Sequence, residues 1–241
     1  MTLALVSMGA AAAACVQATT GLGFAMMLTP VLFALLPPTA AIVTVTALGL
    51  ELNLLVLLGE RRRPRVAWRE LVPILAAATP GIACGVLLLR ALPKPALQVG
   101  VGAVLILAAL RRRSRASAAR ASTPGRLAVG FASGVLTTST GVSGPPIALW
   151  LSRLGLAPGE VRDSLSAVFL AIGLIAFLAL TPVITRAHVD PAFVGAGLAC
   201  VLGGHAVGRR AFTRLEARRF EPLLRAVILC AGAGSIVAGL G

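Results

Sequence analysis

The chain has 241 residues, of which 58% are hydrophobic and only 12% charged, and its mean hydropathy is +0.94. A soluble domain carries about a quarter charged residues, so this composition excludes a soluble globule and indicates an integral membrane protein with no separate soluble domain. The net charge of +14 comes from arginines in short blocks between apolar runs, which is the positive-inside pattern and not a nucleic-acid footprint.

Apolar segments run over residues 2–36, 39–59, 71–89, 95–110, 127–152, 164–184, 191–208 and 220–240. One span needs ~20 residues. The first segment starts at Thr2-Leu3 without a basic n-region, so it reads as membrane structure rather than a cleaved signal peptide. As one helix rising ~1.5 Å per residue it would overrun a ~30 Å hydrocarbon core. The break is expected at Thr20-Gly21-Leu22-Gly23, after Gln17 and Thr19, and Pro37-Pro38 ends the segment.

The second segment carries Glu51 and Asn53. A carboxylate at membrane depth costs ~2.5 kcal/mol or more and faces a bundle interior or water. Glu51, with Asn53 beside it, is therefore a proton-coupling candidate, against the plainer readings of an interfacial or arginine-paired carboxylate. Gly81 and Gly85 in the third segment, like Gly204 and Gly208 later, are spaced for close helix packing. Cys15, Cys84, Cys200 and Cys230 lie far apart in apolar stretches, without metal or disulfide spacing, and read as small buried hydrophobes. No metal and no cofactor is expected.

Segment 127–152 contains Thr137-Thr138-Ser139-Thr140-Gly141-Val142-Ser143-Gly144-Pro145-Pro146, with five hydroxyls, two glycines and two prolines. Proline removes a backbone donor and blocks the preceding turn, so a helix breaks here. In lipid such a break is tolerated only where it is buried in protein or lines a wet cavity. Further on, Arg162, Asp163 and Ser164 open segment 164–184. Asp163 reads as a helix cap, and Arg162 alternatively neutralises an anion. His205 reads as a buried histidine bonded to a helix neighbour.

The chain repeats itself. Thr20-Gly21 matches Thr140-Gly141, and Pro38 matches Pro158, at an offset of 120, while Gly81-x-x-x-Gly85 matches Gly204-x-x-x-Gly208 at 123. Residues 1–110 form the first membrane repeat, 111–126 a basic cytoplasmic linker and 127–241 the second repeat. If every segment crossed once, basic residues would split twelve against nine. If 2–36 and 127–152 are hairpins that return to their starting face, the split is eighteen against three, which suits the positive-inside rule far better. The expected fold is an all-α polytopic membrane protein of two inverted repeats, each a broken or re-entrant helical hairpin followed by three transmembrane helices, with both termini outside.

The chain resembles the TauE/SafE family, also called the TSUP family of anion exporters. The resemblance rests on Thr20-Gly21-Leu22-Gly23-Phe24 with Pro30, Pro38-Thr39-Ala40-Ala41, Gly81-Ile82-Ala83-Cys84-Gly85, Gly134, Gly141-Val142-Ser143-Gly144-Pro145-Pro146 and Arg162. It covers nearly the whole chain and implies export of sulfite or small organosulfonates by a two-repeat architecture.

Together these readings describe a secondary transporter, an exporter of a small anion, in the cell inner membrane as a multi-pass protein and not an enzyme. The anion would bind near the midplane where half-helix N-termini present N–H groups and a positive dipole. The candidate substrate-binding residues are Thr19, Thr20, Gly21, Gly23, Thr137, Thr138, Ser139, Thr140, Gly141, Ser143, Gly144, Pro145 and Arg162. No ATP-binding motif is present, so coupling falls to a proton or sodium gradient, the membrane potential or the substrate gradient. The partners are thus the anion, a coupling ion and the bilayer, with no nucleic acid; the oligomeric state is not readable. The rival reading is a rhomboid-like intramembrane serine protease with Ser143 as nucleophile and His205 as base. Pro145-Pro146 directly after the serine, and Gly23 at the matched position of the first repeat, speak against it. A channel or scaffold is the third reading.

Overall fold

The computed structural model describes residues 2–59, 63–93, 122–184 and 191–214, with a few helical positions between 95 and 106 and between 226 and 237. Most of the expected segments 95–110 and 220–240, and most of the 111–126 linker, lie outside the described residues. All regular structure among the described residues is helical: α1 (Thr2–Thr20), α2 (Phe24–Leu35), α3 (Pro38–Leu58), α4 (Trp68–Ala91), α5 (Thr123–Thr140), α6 (Gly144–Leu151), α7 (Pro158–Ile184) and α8 (Pro191–Arg214).

Both expected breaks are present. α1 stops at Thr20 because Gly21 turns left-handed, at φ 78°, and its N–H donates to the Gln17 carbonyl at 2.7 Å. α5 stops at Thr140 in the same way, with Gly141 at φ 76° and its N–H on the Thr137 carbonyl at 2.9 Å. Glycine takes this conformation without the Cβ clash that other residues meet. The second arms are short. The 12 residues of α2 and 8 of α6 reach only ~18 and ~12 Å, too little for a ~30 Å core. Among the described residues three helices are long and apolar enough to cross a membrane, over Thr39–Leu58, Trp68–Ala91 and Pro158–Thr181.

The helices meet through glycines. Along α4 and α5, a Cβ on Gly81, Gly85, Gly130 or Gly134 would overlap the backbone of Phe131, Val135, Ile74 or Ala78 respectively. Along α8 and α1, a Cβ on Gly204 or Gly208 would overlap the backbone of Ala11 or Cys15. Such residues let helix backbones approach closely where lipid supplies no hydrophobic drive. The two seams correspond position by position. Phe131 and Val135 lie 120 positions after Ala11 and Cys15, and Gly204 and Gly208 lie 123 after Gly81 and Gly85. The first helix of each half therefore packs against the last long helix described in the other half.

Described residues that border the basic segments contact one another. Arg126, before the apolar part of α5, holds Glu70 at the start of α4 through Nε at 2.9 Å and Nη2 at 2.8 Å. The Trp150 indole N–H, at the end of α6, donates to the same carboxylate at 3.1 Å. Arg209 donates to the Gly59 carbonyl at 2.6 Å.

One expectation is corrected here. α7 begins at Pro158, not at Asp163, because proline is preorganised for a helix's first turn and its missing N–H costs nothing there. Asp163 and Ser164 therefore do not cap their own helix. Asp163 Oδ2 accepts the Arg65 N–H at 2.8 Å, and Ser164 Oγ accepts the Ala67 N–H at 3.0 Å, which fixes the chain leading into α4.

Leu54, Leu58, Val72, Leu87, Leu174, Leu178 and Leu202 are exposed. In water an apolar exterior of this kind would drive association; in a bilayer it is the lipid-facing surface. Inside are two apolar cores. Leu22 joins the one with Ile147, Val168 and Ile172, and Phe24 the one with Ala14, Leu48 and Leu52. The first break thus lies at the seam between them.

Candidate functional site

The two breaks touch. A Cβ on Gly144, the first residue of α6, would overlap the Leu22 side chain from the first break. Beside this contact is a partly open cavity of about 60 Å³, lined from the first half by Gln17, Gly23, Phe24, Thr46 and Asn53 among others, and from the second by Thr137, Gly141, Ser143, Gly144 and Phe169. By the same measure one water needs ~10–15 Å³, so the space suits several waters or one small oxoanion. Among the described residues, none that lines it carries a charged side chain.

The two helix N-termini at the cavity offer different donors. The first three N–H groups of a helix have no intrahelical carbonyl. In α2 these belong to Phe24, Ala25 and Met26, all of which line the cavity. In α6 they would belong to Gly144, Pro145 and Pro146, and the prolines have no N–H. Ser143, the residue before α6, makes no side-chain cap bond, so its hydroxyl remains available to the cavity. Thr46 is 8% exposed, lines the cavity and is engaged by no hydrogen bond among the described residues.

Of the sequence-predicted residues, the structure brings Gly23, Asn53, Thr137, Gly141, Ser143 and Gly144 together around this space. Thr19, Thr20, Gly21, Thr138, Ser139, Thr140, Pro145, Arg162 and Glu51 do not line it. The reason is local for the hydroxyls. Those of Thr19, Thr20, Ser139 and Thr140 donate to their own helix, to the carbonyls of Cys15, Val16, Val135 and Leu136 at 2.7–2.9 Å. Back-bonding of this kind is a standard outlet for hydroxyls in helices. Thr138 instead donates across the α4–α5 seam to the Ile82 carbonyl at 2.9 Å. Thr137 lines the cavity and also donates back, to Ser133 at 2.7 Å, which leaves its oxygen free to accept.

Arg162 is fully buried, and its Nη1 donates to the Ala18 carbonyl at 3.1 Å. Ala18 belongs to the last turn of α1, where carbonyls lack helical donors and the dipole favours a cation. A Cβ on Gly21 would press on the Arg162 Cα and Cγ, so Arg162 packs directly against the first break. Glu51 lies on α3 two residues before Asn53, with Oε2 buried and without a hydrogen-bond partner.

The protease geometry is not present. His205 packs against the C-terminal end of α3, its Nε2 3.1 Å from where a Gly59 Cβ would stand, and it is not part of the cavity that Ser143 lines. α8 is locked to α1 through Gly204 and Gly208, which holds His205 away from the second break. Nor does a helix neighbour hold the ring as expected, since its Nδ1 is buried without a partner.

Two polar lining residues were not among the sequence-predicted site residues, Gln17 and Thr46. Gln17 had a signal: a polar residue in an apolar run, at the position matched by Thr137 in the second half. Thr46 had none, since a threonine in an apolar helix is ordinary.

The sulfite exporter TauE/SafE family model matches residues 5–234 of the chain. A curated relative from Cupriavidus necator, "Probable sulfite/organosulfonate exporter TauE", is 31% identical over 159 residues, covering 64% of this chain and 62% of that relative. The matched part thus spans less than two thirds of the relative's length. No solved structure matches the chain. With a family match running over almost all of its length, the chain belongs to the sulfite exporter TauE/SafE family of membrane transporters.

Proposed function

We propose that this protein is a secondary transporter that exports a small oxoanion of the sulfite or organosulfonate class, bound in the cavity between the two breaks. The observation that carries the reading is that both helix interruptions open onto one space lined by Asn53, Thr46, Thr137, Ser143 and backbone N–H groups, without a charged side chain among the described residues. Helix N-termini attract anions without a fixed countercharge, and an anion that is not paired with a lysine or arginine can leave again. Family membership and the relative's name support the substrate class.

The proposed binding set is Gly23, Asn53, Thr137, Gly141, Ser143 and Gly144, with Thr46 added. Thr19, Thr20, Gly21, Thr138, Ser139, Thr140, Pro145 and Arg162 would shape and hold the two walls. Glu51 is the proposed proton carrier if export is proton-coupled. The architecture proposed is two inverted repeats in the cell inner membrane, crossing several times, with residues 111–126 cytoplasmic and both termini outside. The twin glycine seams and the contacts of Glu70, Arg126, Asp163 and Arg209 beside the basic segments support it.

Thermal unfolding of the purified protein across sulfite, methanesulfonate, thiosulfate, chloride and acetate tests the substrate class. Stabilisation by the sulfur oxoanions alone is the expected result, and equal response to all five overturns it. Topology reporters fused at Ser117 and Gly241 should report opposite faces; the same face from both ends the inverted-repeat reading.

A further inference from the structure

We infer that Gln17 is a built-in stand-in for the substrate: its amide oxygen holds the α2 N-terminus when the cavity is empty and is displaced by an oxyanion oxygen when the anion binds. The inference rests on the cavity being the substrate site and adds which end of it is self-occupied. Gln17 is 4% exposed and lines the cavity. Its Oε1 accepts the Phe24 N–H at 3.2 Å, the first of the three donors that α2 leaves over. Its Nε2 donates to Asn53 Oδ1 at 2.8 Å, and Asn53 Nδ2 donates to the Gly49 carbonyl at 2.7 Å. This chain fixes both amides' orientations, because the Phe24 N–H can only donate and the Gly49 carbonyl can only accept.

An oxygen acceptor at a helix N-terminus is what a bound oxoanion would supply. Gln17 supplies it from within the protein, from a residue on the preceding helix. Three further observations point to a ligand rather than to a finished structural cap. The bond at 3.2 Å sits at the long end of the ordinary N–H to oxygen range. Ala25 and Met26, whose N–H groups follow, face the same cavity. Thr46, more than nine-tenths buried, lines the cavity and is engaged by no hydrogen bond among the described residues. The matched position in the second half is Thr137, which is too short to reach α6 and bonds back to Ser133 instead. The self-occupied end is therefore the α2 end alone, and Asn53 carries its release to α3.

The test uses the full-length protein in detergent, with methanesulfonate and sulfite as probes and thermal unfolding and equilibrium binding as readouts. Gln17→Ala should lower the unfolding temperature without anion, leave it equal to the parent's at saturating anion, and tighten apparent affinity several-fold, because nothing has to be displaced. Gln17→Glu keeps the shape but fixes a carboxylate on the Phe24 N–H; it should weaken anion binding tenfold or more. Ser143→Ala is the reference for the site itself. If Ser143→Ala weakens binding and Gln17→Ala weakens it too, Gln17 is a ligand and the stand-in is wrong while the site stands. If Gln17→Ala lowers the unfolding temperature equally with and without anion at unchanged affinity, Gln17 is only structural and the inference falls. If neither Ser143→Ala nor either Gln17 variant alters affinity, the cavity is not the site and both readings fall together.

Discussion

The two helix breaks share one backbone and differ in almost everything attached to it. Each ends a long helix at a threonine, turns through a left-handed glycine and starts a short helix three residues later. The first break then closes on itself. Arg162 caps the helix that arrives, Gln17 covers the first donor of the helix that leaves, and Gly23 at φ 120° bends the chain where no side chain fits easily. The second break stays open. Ser143, at φ −94°, stands where Gly23 does, and two prolines replace donors that the first break exposes. Duplicated geometry has thus been given two chemistries, one rich in backbone donors with the first of them covered from within, the other poor in donors and equipped with a hydroxyl.

The contact between the breaks is the feature with the most to lose. Gly144→Val would drive a side chain into Leu22 and Phe169; overpacking costs ~1–3 kcal/mol and more where the neighbour cannot yield. We expect loss of monodisperse protein on size exclusion, whereas Gly155→Ala, strained only by its own positive φ and with open space around it, should remain folded. Equal behaviour of the two would mean that the breaks do not depend on touching.

Arg162 distinguishes a cap from a ligand. Arg162→Gln removes a charged donor from the end of α1, worth ~1.5–3 kcal/mol. The expected outcome is a clear drop in thermal stability with anion affinity within a few-fold of the parent. A normal unfolding temperature with affinity lost would make Arg162 a substrate ligand and erase the contrast between a capped and an uncapped break.

Ser143→Ala should do the reverse. Its hydroxyl has no protein partner to lose, so stability should stay within ~0.5 kcal/mol. An anion with one fewer hydrogen bond loses ~1.5–3 kcal/mol, or roughly 10- to 100-fold in affinity. Thr140→Val carries the smallest expectation. Its hydroxyl bonds to Leu136 within the helix, so binding should change by less than about threefold, at a stability cost of ~0.5–1.5 kcal/mol. If Thr140→Val weakens anion binding as much as Ser143→Ala, the helix end opens further than its hydrogen bonds indicate.

The positions of the breaks were readable before any coordinates. A 35-residue apolar run cannot be one span, and Gly-rich polar clusters leave few other places to turn. What each hydroxyl faces was not readable. Thr137 to Thr140 cover a full helical turn, so one of them points to each side; Thr138 bonds across to Ile82, Ser139 and Thr140 bond back within the helix, and of the four only Thr137 lines the cavity. Asp163 misled for a related reason. It has the chemistry of a cap and is used as an acceptor, but for the chain entering α4, because Pro158 had already started α7. Sequence shows that an acceptor is present; only packing decides whose donor it meets.

The α1–α8 seam sets an order of events during synthesis. Ala11 and Cys15 receive their glycine partners, Gly204 and Gly208, only after about 190 more residues have been made, some 10–40 s at ~5–20 residues per second. Through that interval the Gly49–Asn53–Gln17 linkage can already form within the emerging chain, whereas one flank of α1 has no neighbour of its own. The half-made protein is therefore a client for whatever shelters polar helices in the bilayer, and a ribosome stalled before residue 191 would leave a product fit for degradation rather than a working half-transporter.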